Sequence, residues 1–257
     1  LRQHVPAHEV AFQVLRGTDV AVNEFRRWPL LRVQEWLMQA IEVRNEEQEL
    51  TIDAFRIGVP HYDRRAIREV VNNALIHRDY GMLGAVHVQL HDDYVLIANP
   101  GGFVAGVHAD NVLVVAPRPR NPLLADAFKR VGLVERTGRG ISIIYAGQLQ
   151  NGRRPPSYDR STETSVTVTL DSGPADLVFV ERIIRTGKDR GRTLTVPELL
   201  VLEAVWTTGQ ITETEAVRLT QRGQDVTRDL LERLQQEGLI AGVTSGGRRS
   251  YRLGQAM

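Results

Sequence analysis

Glu69, Asn73 and His77 stand at four-residue intervals in Arg68-Glu69-Val70-Val71-Asn72-Asn73-Ala74-Leu75-Ile76-His77-Arg78-Asp79-Tyr80, so a helix here stacks a carboxylate, an amide and an imidazole on one face. Ile67, Val70, Val71, Ala74 and Leu75 follow the i, i+3, i+4, i+7, i+8 spacing of a buried stripe, which leaves the three polar groups on the flank away from it. Groups stacked this way can serve a bound metal-nucleotide or can face water. Two glycine turns downstream, Asn99-Pro100-Gly101-Gly102 and Arg136-Thr137-Gly138-Arg139-Gly140, favour the first use. Glu69 offers a base beside a water, and Asn73 offers an amide oxygen to a magnesium ion. Glycines after a strand let backbone approach a flat base, and bare N–H groups at a helix start suit phosphates.

The elements that must position these residues are legible in part. Residues 9–16 alternate apolar and polar as a strand does, and Gly17-Thr18-Asp19 ends the run. A helix is expected over Leu30 to Arg44, and after a break at Pro60 the residue Asp63 caps the helix bearing Glu69. Val86, Val88 and Leu90 pair with Tyr94 to Ala98 as a hairpin across Asp92-Asp93. Asn121-Pro122 is an N-cap with proline at N1, opening a helix with Leu123, Leu124, Ala127, Phe128 and Val131 inward. Ile141 to Leu149 forms a helix after the second glycine turn, and Thr162 to Leu170 alternates as a strand. The fold class expected is α+β, a layered α/β sandwich with a mixed sheet rather than a doubly wound one.

A boundary is expected at Asp171-Ser172-Gly173-Pro174, followed by a basic connector from Arg182 to Arg192. Three short helices and a hairpin then read as a winged helix-turn-helix domain. Thr212 and Glu215 form a capping box for the second helix, and the third turns Val226, Leu230, Leu231 and Leu234 inward. Leu239 to Thr244 and Arg248 to Leu253 flank the turn Ser245-Gly246-Gly247.

Bulk properties narrow the classes. The 257 residues contain no cysteine, which excludes disulfides, thiolate zinc sites and cysteine nucleophiles, and the histidines lack H-E-x-x-H spacing. There is no apolar run of membrane-spanning length and no positively charged leader before a short apolar segment, so a cytoplasmic protein without a membrane partner is expected. The net charge of +1 hides a bias to arginine, with lysine only at Lys129 and Lys188. Arginine's planar fork suits phosphates, and a GC-rich genome gives the same bias.

The four motifs Arg68-Glu69 through Tyr80, Ile97 to Gly102, Arg120-Asn121-Pro122 and Glu135 to Ile141 resemble the GHKL superfamily (gyrase, heat-shock chaperone, histidine kinase, MutL). More closely, the chain from Val10 to Leu253 resembles bacterial transcriptional regulators related to Schlafen/AlbA-like proteins, some of which are named helicase-related. The resemblance implies a Bergerat-type ATP pocket. Glu69 matches the water-activating, catalytic carboxylate and Asn73 the magnesium-binding asparagine. Asn99, Gly101, Gly102, Gly138 and Gly140 complete the nucleotide contacts, with Asn99 where many members have an aspartate reading the adenine amino group. An asparagine carbonyl accepts that bond without the charge. The implied cofactors are ATP and Mg2+, and hydrolysis, where it occurs, is expected to be slow. A helicase motor is not expected, because the only Gly-Lys pair, Gly187-Lys188, is followed by Asp189.

The implied organisation is a 1–60 extension forming the tail of a Schlafen/AlbA-like domain, a 61–172 GHKL-like ATP-binding domain, a 173–194 linker and a 195–257 winged-helix domain. The last is expected to contact DNA through Arg222, Gln224 and Arg228, with Thr227 and Arg233 also displayed on the third helix, and through Arg248, Arg249 and Arg252 of the hairpin. Winged helices also serve as dimerisation or docking modules. The expected protein is therefore an ATP-binding, DNA-associated regulator, with a homodimer as its assembly. The alternative is a DNA-binding protein whose vestigial nucleotide fold is a dimerisation scaffold.

Overall fold

The computed structural model describes residues 5, 8–134, 138–245 and 248–257, with nothing described for the side chains of Ser245 and Arg248. Strands β1 (Val10–Arg16) and β2 (Asp19–Arg26) form a hairpin, followed by helix α1 (Leu30–Glu42). A second hairpin, β3 (Glu47–Ile52) and β4 (Phe55–Pro60), leads to α2 (Arg64–His77). Then come β5 (Val86–Leu90), β6 (Tyr94–Pro100), α3 (Pro122–Arg130), α4 (Gly140–Gln150) and β7 (Ser165–Asp171). The chain continues through α5 (Leu177–Arg190), α6 (Val196–Thr208), β8 (Gln210–Thr212), α7 (Glu213–Thr220), α8 (Gln224–Gln236), β9 (Ile240–Ser245) and β10 (Arg248–Leu253).

The main sheet runs β2-β1-β5-β6-β7. β1 is parallel to β5 and the other neighbours are antiparallel, so the sheet is mixed. The strands of residues 10–26, expected in an N-terminal extension, thus hydrogen-bond into the same sheet as β5 to β7. Strand alternation sends Val10, Phe12, Val14, Val86, Val88, Leu90, Val95 and Ile97 into one core. Each contributes roughly 1.5–3 kcal/mol on burial. The opposite face carries an amide ladder across three strands: Gln89 Nε2 donates to Gln13 Oε1 at 2.7 Å and Gln13 Nε2 to Asn23 Oδ1 at 3.0 Å.

α2 is fixed at both ends. Asp63 Oδ1 accepts from Ala66 N at 2.7 Å, as an N-cap should. At the other end Asn121 Nδ2 donates to Ile76 O at 2.7 Å and to Arg78 O at 2.8 Å. Asn121 therefore stands at the start of α3 without capping it through its side chain; it closes α2 instead. Arg120 lies beside it, donating from Nε to His77 O at 3.1 Å and from Nη2 to Gly102 O at 2.7 Å. Arg78 is fully buried, donating to Asp79 O and Gly84 O, with its guanidinium over Tyr80. The His77-Arg78-Asp79-Tyr80 segment is thus the fastening between α2 and the end of β6.

α4 crosses α2 closely because two glycines seven residues apart share its inner face. A Cβ at Gly147 would fall 2.8 Å from Ala66 Cβ, and one at Gly140 would fall 2.9 Å from Glu69 Oε2. The first residue of α4 is thereby held over the carboxylate of α2.

Three helices depart from expectation. Residues 177–190, within the stretch expected to be a connector, form α5, with Phe179, Val180, Ile183 and Thr186 buried. Their spacing is helical, and the flanking charges and Gly187 obscure it in the sequence. Val226, expected inside, is 51% exposed, and Thr227, expected at the surface, is fully buried with its hydroxyl 3.2 Å from that of Thr220. In α3 the outward residues include Leu123 and Val131, while Ala125 and Phe128 are buried. Gly246 and Gly247 of the expected turn after β9 lie outside the described residues.

α6 packs against α4 and joins the two regions. Glu198, buried in the first turn of α6, receives Arg192 through both oxygens at 2.8 Å and closes a capping box with Thr195. Burial alone would push its carboxyl up, but the Arg192 and Thr195 hydrogen bonds hold it below the usual carboxylate range. β8, β10 and β9 form a three-stranded sheet in that order, with the Thr212–Glu215 capping box present at the head of α7.

Candidate functional site

A cavity of about 420 Å³ opens between α2, the helix-facing side of β6 and β7, and the start of α4. Its size is that of a small-ligand site. Glu69, Asn73, Asn99, Gly102, Gly138 and Gly140 all line it, so three stretches far apart in sequence meet there. Gly101 does not line it: with φ 97° it faces the other way, where a Cβ would fall 2.8 Å from Asp79 Cβ. Its place is the fastening of the α2 end, and only glycine adopts that backbone cheaply.

Of the two uses open to the polar flank of α2, the structure places it against a cavity rather than free in water. Glu69 is fully buried beneath Gly140, while Asn73 is half-buried on the cavity wall. His77 also lines the cavity. Burial, then the nearby Arg120 guanidinium, lower the pKa of His77, so at neutral pH it is an uncharged hydrogen-bonding group. Asn99 is 4% exposed, and its Nδ2 donates to Pro100 O at 3.2 Å. With that N–H engaged, Oδ1 is what the residue has to offer a ligand's donor.

The floor is apolar, built from Ile97, Ile144, Tyr158, Val166 and Val168. Burial pushes the Tyr158 hydroxyl far up, so it remains protonated. Phe103 covers this floor, its ring 6.0 Å from that of Tyr158. Phe103 belongs to a segment of residues 101–121, without helix or strand between β6 and α3, that forms the cavity's cover and contributes Val107, Val112, Leu113 and Arg118. The sequence of this stretch has neither helical nor strand periodicity. Its length was the available signal, since about twenty structureless residues inside a compact unit usually form a lid or binding loop.

Two cations line the cavity that the sequence reading did not place there, Arg118 and Lys129. The start of α4 adds to their field. No described side chain caps that end, and it holds no acid in its first turn, so its N–H groups and the positive end of its dipole are directed at the Gly138–Gly140 wall. The segment Glu135-Arg136-Thr137 lies outside the described residues.

The expected DNA-contact residues differ in how they are held. Gln224 and Arg228 both bond Glu213 Oε1, at 3.1 and 3.0 Å. Arg249 donates to Gln235 Oε1 at 3.2 Å and lies over Tyr251. Arg233 is exposed but 3.5 Å from Glu198. Arg222 and Arg252 are exposed, and the Arg248 side chain is outside the description. Asp225, Asp229 and Glu232 form an acidic ridge along the exposed face of α8.

Residues 84–170 match the family described as "Putative ATP-dependent DNA helicase recG C-terminal". The match begins after Glu69 and Asn73 and takes in Asn99, Gly102, Gly138 and Gly140. No curated protein matches the chain. Among solved structures, the DIP2311 protein from Corynebacterium diphtheriae is similar, with a TM-score of 0.80 and 26% identity. The similarity covers 98% of this chain and 52% of that one, so the chain spans about half the length of that protein. These likenesses support an ATPase-like domain of a helicase-related kind on a mixed α/β fold. Among the described residues no helix is long and apolar enough to cross a membrane.

Proposed function

We propose that the cavity is a Mg-ATP site in a DNA-associated regulatory protein. The observation that carries this reading is the convergence of Glu69 and Asn73, Asn99, and the Gly138–Gly140 helix start on one apolar-floored cavity with Arg118 and Lys129 in its wall. Asn99 Oδ1 accepts from the adenine amino group. The floor around Ile97, Tyr158 and Val168 holds the base away from water. Gly138, Gly140 and the α4 N–H groups take the phosphates, with Arg118 and Lys129 offsetting their charge.

Among the described residues no cluster of three His, Cys, Asp or Glu side chains could cage a metal ion. The donor set fits magnesium held in the usual way for nucleotides, by one or two protein oxygens together with phosphates and water. Asn73 is the oxygen donor in place for it. Magnesium, when bound, neutralises developing charge on the phosphates. Glu69 orients water and accepts its proton, in a closed position beneath Gly140 that suits slow turnover.

Titration of labelled ATP with and without magnesium tests the reading, and competition by GTP tests the base. Effective competition by ATP but not GTP is expected if Asn99 reads the amino group.

In the same reading α6 to β10 form a winged helix. Because the acids of α8 repel phosphate, DNA contact falls on Arg222 and on Arg249 and Arg252 of the hairpin rather than along the middle of α8. A salt series measures it: log K against log[salt] should fall with a slope of about −2 to −4, and each of the three arginines replaced by alanine should reduce that slope by about 1.

A further inference from the structure

Gln221, at the end of α7, is one of two non-glycine residues with a left-handed backbone among the described residues, at φ 57°. Glycine or asparagine fills such a helix end at less cost. What glutamine adds is reach. Its Oε1 accepts from Leu113 N at 2.8 Å and its Nε2 donates to Ala109 O at 2.9 Å, so both ends of the amide hold one turn of the cavity's cover. That turn presents Val107, Val112 and Leu113 to the cavity on its other side. Arg222 follows directly, and Gln224 opens α8.

We propose that Gln221 is a latch tying the cover of the cavity to the α7–α8 turn, so that nucleotide occupancy and the state of the C-terminal unit are linked. The inference rests on the nucleotide reading above. A ligand on the floor touches the inner side of the 107–115 turn, and any adjustment there either carries Gln221 with it or breaks its two hydrogen bonds. The α7–α8 turn therefore registers whether the cavity is filled. By linkage, a partner that binds at Arg222 alters nucleotide affinity by the same factor.

Amide hydrogen exchange on the full chain, with and without Mg-ATP, tests the latch in the wild type and in Gln221→Gly. Glycine suits the left-handed backbone, so the variant keeps the turn and removes only the amide. Gln221→Asn is the second variant, tolerant of the same backbone but one methylene too short to hold both partners. Mg-ATP is expected to slow exchange in residues 101–121 and also in 219–224 of the wild type. In both variants slowing should be confined to 101–121, and without nucleotide the Leu113 amide should exchange about tenfold faster than in the wild type. Slowing of 101–121 with unchanged 219–224 in the wild type, or an undiminished response at 219–224 in both variants, would overturn the latch alone. No change anywhere in the cavity wall would overturn the nucleotide reading and the latch with it.

Discussion

Glu69 and Gly140 are neighbours through a missing side chain: a methyl group on Gly140 would stand 2.9 Å from Glu69 Oε2 and 4.0 Å from Asn73 Nδ2. Gly140 does not have a positive φ, and alanine is favoured over glycine in a helix by about 1 kcal/mol. Gly140→Ala should therefore leave the thermal midpoint within a few degrees of wild type while lowering Mg-ATP affinity by about tenfold or more. Scanning calorimetry and nucleotide titration on the same preparation separate the two effects. A variant that binds nucleotide normally would show that the cavity end of α4 is not part of the site.

Glu69→Gln keeps the volume and loses the base. Magnesium-dependent turnover is expected to fall by about 10²-fold or more. Mg-ATP affinity should stay within about threefold, because the replacement is isosteric. Loss of affinity with unchanged turnover would reverse the role assigned to this carboxylate.

Asn121 closes α2 rather than capping α3, and that is testable by stability alone. Asn121→Ala removes two donated hydrogen bonds and leaves the Ile76 and Arg78 carbonyls short of them, a loss of about 2 kcal/mol in urea unfolding. A cost below about 0.5 kcal/mol would mean that the helix end is fastened without Asn121, by contacts such as Arg120 to His77 O and Tyr80 to Leu75 O.

His8, His61, His77, His87 and His91 all have pKa values lowered from the ordinary 6.5, with burial the first cause in each. The native state then binds fewer protons than the unfolded chain just below that value, so stability rises with pH there. The contribution is intact above the unfolded value near 6.5 and is lost as pH falls below it toward the lowered native values. Urea midpoints at pH 7.5, 6.5 and 5.5 should accordingly be similar for the first two and lower for the third. An unchanged midpoint at pH 5.5 would contradict the burial of these rings.

Local chemistry made part of the fold readable. The apolar stripe of α2, the Asp63 cap, the β5–β6 pair and the Thr212–Glu215 box each rest on contacts within a few residues, and each stands where the pattern put it. The polar side of α2 was harder. Glu69 has the spacing of a surface residue, and what buries it is α4, brought over it by Gly140 and Gly147 some seventy residues later. Gly101 looked like a ligand contact because it adjoins Gly102, yet its neighbours Asp79 and Arg120 are known only once the α2 end is folded. The cover, with its Arg118, carries no periodicity at all, and Lys129 reads only as a charge in the last turn of α3. In α8 Leu230, Leu231 and Leu234 are buried as their spacing predicts, and only the first turn differs, where Thr227 takes the inward place and Val226 is exposed.

Isothermal titration of the chain with Mg-ATP, beside the Asn73→Ala variant, bears most directly on the central claim. Saturable binding with Kd at or below about 0.1 mM is expected for the wild type, weakened at least about tenfold in the variant and by chelation of magnesium. Absence of binding at millimolar nucleotide, or equal binding by wild type and variant, would contradict it.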